Sequence, residues 1–289
     1  MIYATLVAPF TDFEFMRRAL AGVIALALGG APIGVFLMLR RMSLVGDAMA
    51  HAILPGAAVA FLLSGLNLLA MTLGGLVAGL LVAILAGALT RVTELKEDAS
   101  LAAFYLASLA LGVAIVSIRG TNVDLLHVLF GNVLALDDQT LLVIAVNTTV
   151  TMIVLAAIYR PLIAECVDPL FLRTVSRAGG PVHLALLVLV VVNLVNGFQA
   201  LGTLLAVGLM ILPAGIARFW MRDVTGMIMV AVIAAALSGY LGLVVSFATR
   251  IPPGPAIILF AAIFYVVSVL AGPSGGLAWR MFPGRHLEA

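Results

Sequence analysis

The chain has 289 residues, 64% of them hydrophobic and 10% charged, with a formal net charge of +2. A soluble domain carries about 25% charged residues, so this composition excludes a water-soluble globule and turns the length into a count of membrane spans. A single cysteine, Cys166, excludes an internal disulfide and a cysteine metal cage, and no basic patch suited to nucleic acid occurs.

Asp12, Glu14, Arg17 and Arg18 precede an apolar run, 19–39, that is long enough to cross a bilayer. That length argues for a first transmembrane helix over a cleavable signal peptide. A window of about 19 residues predicts spans at 18–39, 47–66, 68–90, 101–118, 141–159, 182–195, 201–219, 224–247 and 255–271. The 182–195 run is short and is expected to join its neighbour through Asn196 and Gly197 as a broken helix, which makes eight or nine spans.

Arg40, Arg41, Arg91, Lys96, Arg160, Arg173, Arg177, Arg218, Arg222, Arg280 and Arg285 fall in one alternate set of loops. Arg17, Arg18, Arg119 and Arg250 fall in the other. The bias places the first set in the cytoplasm, with the N-terminus outside if there are nine spans. Tyr3, Trp220 and Trp279 are predicted near the interfaces.

The chain reads as one transmembrane domain, 1–289, with an outer loop at 119–139 and an inner loop at 160–181. Pro55 and Pro213 stand in similar tetrapeptides, Ile53 to Gly56 and Ile211 to Ala214, a faint sign of paired broken helices.

Nearly all acidic residues fall in predicted loops; Asp47 instead opens the second span, with His51 four residues on. On a helix the two share a face, with Cβ atoms about 6 Å apart. An ionised Asp in a bilayer costs about 2.5–3.5 kcal/mol, so such residues face a watery cavity or a partner. Carboxylate oxygen and imidazole nitrogen are ligands for zinc or manganese. Two ligands are too few for a tight closed site but suit a transit site that must release its ion. The same spacing fits a second reading, in which Asp47 caps the helix with Ser43 and Gly46 in the turn and His51 packs against neighbours.

Asp124 and His127 in the outer loop read first as a solvated pair, with contact to a delivered metal ion as the second reading. His183 and His286 receive no role. Asn193, Asn196 and Gln199 are expected to form helix-to-helix hydrogen bonds. No G-x-x-x-x-G-K-[ST], H-E-x-x-H or G-x-S-x-G occurs, and Lys96 is the only lysine. A P-loop and the common hydrolytic sites are therefore excluded, and no catalytic residue or cofactor is expected.

Segment 41–56 holds Arg41, Ser43, Leu44, Gly46, Asp47, Ala48, His51, Ala52, Leu54, Pro55 and Gly56. It resembles the basic–x–S–L–x–G–D–A–x–(S/A)–H–A–x–L–P–G signature of permeases from zinc, manganese and iron ABC importers. Segments 129–136, 201–214 and 253–258 are similar to further segments of that family.

The resemblance implies an all-α polytopic fold like that of the cobalamin importer, in a bacterial plasma (inner) membrane. It implies a homodimer or a dimer with a paralogue, two cytoplasmic ATP-binding subunits, and a periplasmic or lipid-anchored metal-binding protein. It identifies Asp47 and His51 as metal contacts for zinc or manganese, with iron a further candidate. It places an ATPase-coupling helix over Asp168, Pro169, Arg173, Arg177 and Gly179, with Leu172 where the pattern has a small residue. Read from the residues alone, that segment is an amphipathic surface helix. The alternatives are a permease for metal chelates and an ATPase-independent secondary transporter.

Overall fold

The computed structural model describes residues 6–65, 67–93, 97–118, 133–176 and 178–277. Among them the secondary structure is entirely helical. In chain order the helices are α1 (Ala8–Asp12), α2 (Glu14–Leu39), α3 (Val45–Ala52), α4 (Leu54–Ser64), α5 (Leu68–Val92) and α6 (Glu97–Ile118). A 3-10 turn (Val133–Ala135) precedes α7 (Asp138–Val167), α8 (Pro169–Val175), α9 (Gly179–Leu201), α10 (Thr203–Trp220), α11 (Val224–Thr249) and α12 (Pro253–Ala271).

Eight segments among the described residues are long and apolar enough to cross a membrane, counting α3 and α4 together as Val45–Ser64. In α6 the apolar stretch Ala99–Ile115 is shorter. The polytopic all-α expectation of eight or nine spans therefore holds.

Helix α2 is the hub, packed against α7, α9, α10 and α11. Its most apolar window is 72% buried, against 28% for that of α12, so α2 belongs to the interior and α12 presents side chains outward. Leu259, Ile263, Val266 and Leu270 are exposed on α12, which suits a lipid-facing surface. Glycine lets α2 come close to its neighbours: a Cβ on Gly34 would land on the Met210 carbonyl of α10. A second group, α3 to α6, is joined to the hub through α9 and α10.

Helix α2 ends in a Schellman turn. The Met42 N–H donates to the Leu37 carbonyl (2.8 Å) and the Arg41 N–H to the Met38 carbonyl (3.0 Å). Arg41 takes the left-handed position usually held by glycine, at φ 61°. Its charge at the helix C-terminus is favourable to the dipole.

Three boundaries differ from the sequence expectation. The predicted second span, 47–66, is two helices broken at Ile53, because Pro55 has no N–H to give the His51 carbonyl. Pro213, by contrast, lies inside a continuous α10, so the two similar tetrapeptides are not a structural repeat. The predicted 141–159 span runs on through Pro161 to Val167, because Leu162 and Glu165 are buried there. The inner loop therefore shrinks to 168–178. The short 182–195 run is a full helix, α9, and the break falls at Gly202 (φ 88°), directly before α10.

Candidate metal-transit site and coupling segment

Helix α3 is short because it lies between the turn that closes α2 and the break at Ile53. One face is buried through Val45, Met49 and Ala52. Gly46 seats that face on α10, where a Cβ would lie 2.6 Å from Met210 Cε. The opposite stripe, Leu44, Asp47 and His51, follows the i, i+3, i+7 spacing of a helix face and faces outward.

Asp47 does not cap the helix; the N-cap is Leu44, with no side-chain cap bond. Asp47 stands in the first turn instead, where the helix dipole favours a carboxylate. His51 Nε2 lies 3.8 Å from Asp47 Oδ1, and the side chains are 39% and 65% exposed respectively. That distance is too long for a hydrogen bond, so the pair is not consumed by its own contact. Adjacent ligands on one ion bound at about 2.1 Å lie about 3–3.5 Å apart, so a small side-chain adjustment lets both donors meet a cation.

Helix α6 backs this half-helix. Leu101, Tyr105, Ser108 and Gly112 recur at helical spacing along it. Ser108 donates to the Ala52 carbonyl at 3.0 Å. Gly112 lies against Pro55, and the Tyr105 ring stacks on His51 with centroids 6.2 Å apart. A cavity of about 170 Å³ is lined by Asp47, Tyr105, Leu101, Leu44, Val45, Ala48 and Ala102. No group of three or more His, Cys, Asp or Glu side chains converges among the described residues. The chain alone thus offers two donors at this place.

The segment expected to couple to an ATPase is a separate structure. Asp168 is the N-cap of α8, accepting the Phe171 N–H at 2.9 Å, and Pro169 takes the first helical position. Leu172, which departs from the family pattern, is buried and anchors α8 inward. Val167 at the end of α7, and Phe171 and Val175 one turn apart on α8, are exposed apolar residues. Gly179 leaves room for the buried Glu165 carboxylate: a Cβ there would lie 2.6 Å from Glu165 Oε2.

The Pro169 and Arg173 side chains lie outside the described residues, as do Arg177, Asp124 and His127. At the opposite end Arg18 pairs with Glu14 (2.7 Å) and Asp138 (3.0 Å). Asp137 caps α7 there, and hydrogen bonds from the Thr140 side chain and backbone hold its carboxyl below the usual range.

Several residues with a part in these arrangements escape the sequence reading. Tyr105 and Ser108 are two of them, and the only sign is the stripe along α6. Asn193 is expected to bond between helices and does, but its partners Asn147 and Thr151 on α7 are not foreseen.

The sequence profile of the ABC 3 transport family matches residues 12–272. The manganese import system permease protein ScaB of Streptococcus parasanguinis is 34% identical over 91% of this chain and 92% of its own length. The manganese transport system membrane protein MntC of Halalkalibacterium halodurans is 28% identical over 96% of this chain and 94% of its own. Among solved structures, PsaBC from Streptococcus pneumoniae in complex with Fab superposes with a TM-score of 0.79. Its sequence identity is 30%, over 95% of this chain and 97% of that one.

Proposed function

The chain belongs to the ABC 3 transport family, and from that premise we propose that it is the membrane-spanning subunit of a bacterial plasma-membrane importer for divalent manganese or zinc, with ferrous iron a further candidate. The observation that carries the reading is the Asp47–His51 pair, 3.8 Å apart and exposed on a short helix that is otherwise buried. Manganese is favoured by the relatives named for its import. A carboxylate and an imidazole suit manganese, zinc and ferrous iron alike, so the donor set supports the class of ion rather than one member.

The pair stands on the outside of a single subunit, near exposed Leu44, and α4 exposes Val59 and Leu63 as well. An ionised carboxylate facing lipid is costly, so this face is better explained by a second copy across a central path. Two copies bring two carboxylates and two imidazoles to one ion, a weak set that releases as well as binds.

This chain carries no P-loop, so ATP hydrolysis belongs to a separate pair of cytoplasmic subunits. The exposed side chains of Val167, Phe171 and Val175 are their docking surface, and Arg173 and Arg177 of the same segment add positive charge in the sequence. A metal-binding protein delivers the ion from outside, and Asp124 and His127 meet it in the outer loop. Closure of the ATPases moves the coupling helices and shifts the spans as rigid bodies.

The test is accumulation of manganese, zinc and iron in a strain lacking the chain. Restoration of one of these ions by the wild-type gene is expected; restoration of none would remove the assignment.

A further inference from the structure

We infer that Tyr105 is a positioning residue of the transit site, holding the His51 imidazole by its face so that both ring nitrogens stay available at its edge. The inference rests on the reading of Asp47 and His51 as metal ligands.

The ring planes of His51 and Tyr105 are inclined by 29° with centroids 6.2 Å apart, a stacked contact. His51 needs such a contact because it occupies the last turn of a short helix, directly before the break at Ile53, with its side chain 39% exposed. A side chain so placed is otherwise free to turn among rotamers. Metal-binding histidines are usually oriented by a hydrogen bond to the second nitrogen. Among the described residues neither His51 nitrogen is hydrogen-bonded, and Asp47 at 3.8 Å is beyond that range. A ring against the imidazole face supplies the missing orientation without occupying a donor atom.

The stacking ring does not drift independently of α3. Ser108, almost one turn beyond Tyr105 on α6, holds the Ala52 carbonyl at 3.0 Å, and Gly112 abuts Pro55. Tyr105 also lines the cavity beside Asp47. One side chain therefore touches the imidazole and borders the space beside the carboxylate.

The test is a double-mutant cycle on the assembled importer, permease with its ATPases, titrated with Mn²⁺ alone and read by electron paramagnetic resonance of free Mn²⁺. Tyr105→Leu is expected to weaken binding about three- to tenfold, the range of an aromatic pair. Tyr105→Phe, which keeps the ring, should restore affinity to within about twofold, on the same grounds. In a His51→Ala background, Tyr105→Leu should change nothing further, since a ring that acts through His51 has nothing left to orient.

A merely structural Tyr105 would weaken binding equally in both backgrounds, and that result overturns the inference. So does unchanged affinity in Tyr105→Leu while His51→Ala weakens it. If His51→Ala leaves Mn²⁺ affinity intact, the ligand assignment itself falls, and the role of Tyr105 falls with it.

Discussion

Helices α2 and α3 follow one another across a five-residue turn, Arg40 to Leu44, yet they serve opposite ends. Each is followed or interrupted by a proline. In α2, Pro32 lies inside an unbroken helix of 26 residues, walled in by Ala31, Ile33, Val35 and Phe36, all fully buried. In the α3–α4 segment, Pro55 accompanies a break, and the most apolar window is 50% buried against 72% for α2. Deeper burial over-rides a lost hydrogen bond; shallower burial lets it open the chain. The buried helix holds the fold. The interrupted one leaves Asp47 and His51 outside, where the proposed cargo ion would meet them.

The sharpest way to break this contrast is to remove that pair. Asp47→Ala and His51→Ala should each reduce ATP-driven manganese uptake in proteoliposomes to background. Both should leave expression and co-purification with the ATPases unchanged, because neither side chain fills space in the core. Persisting uptake in both variants would separate exposure from function.

Gly34→Val is the reciprocal change in α2. The new side chain meets the Met210 backbone, which has no rotamer to escape through, and a loss of about 3 kcal/mol or more is expected. Gly46→Ala on α3 meets only the flexible Met210 thioether, at 2.6 Å, and should lose about 1 kcal/mol. Thermal unfolding in detergent ranks the two; equal losses would erase the distinction between the helices.

Adjacent residues of α8 sharpen the same point at smaller scale. Phe171 is 59% exposed and Leu172 is buried. Phe171→Ala should leave the unfolding temperature unchanged and weaken ATPase retention by about 1–2 kcal/mol, in the range of an interface anchor. Leu172→Ala should lower the unfolding temperature instead. Co-purification against a thermal melt distinguishes them, and an intact complex with Phe171→Ala would reject this surface as a dock.

Most of the architecture was legible because hydropathy measures what a bilayer demands, a run of apolar residues of sufficient length. The extension of α7 past Pro161 was not, because it depends on burial of Leu162 and Glu165 by neighbours distant in sequence. Asn196 made α9 look short, yet its side chain returns to the Val192 carbonyl at 2.8 Å and the helix continues. At the site, a charge beside an apolar run singled out Asp47 and His51, but their reading as metal contacts came from the family resemblance of segment 41–56. Tyr105 was not, since an aromatic in a membrane helix is ordinary until a partner from another helix is found beside it.

The smallest expected effect concerns the polar knot that ties α7 and α9 beside α2. Asn193 donates to Thr151 Oγ1 (2.8 Å) and the Leu189 carbonyl (2.9 Å), and accepts from Asn147 (3.3 Å). Gly29 of α2 makes room for it, since a Cβ there would stand 2.8 Å from Asn193 Oδ1. Three hydrogen bonds suggest a large contribution, yet in a membrane the separated helices satisfy polar groups too, and such contacts contribute about 1 kcal/mol net. Asn193→Leu should therefore lower stability by about 1 kcal/mol. Adding Thr151→Val, which removes the hydroxyl left behind, should recover part of that loss rather than deepen it. Additive losses in the pair would mean that Thr151 stabilises the fold without Asn193, and that the knot is two separate contacts rather than one network.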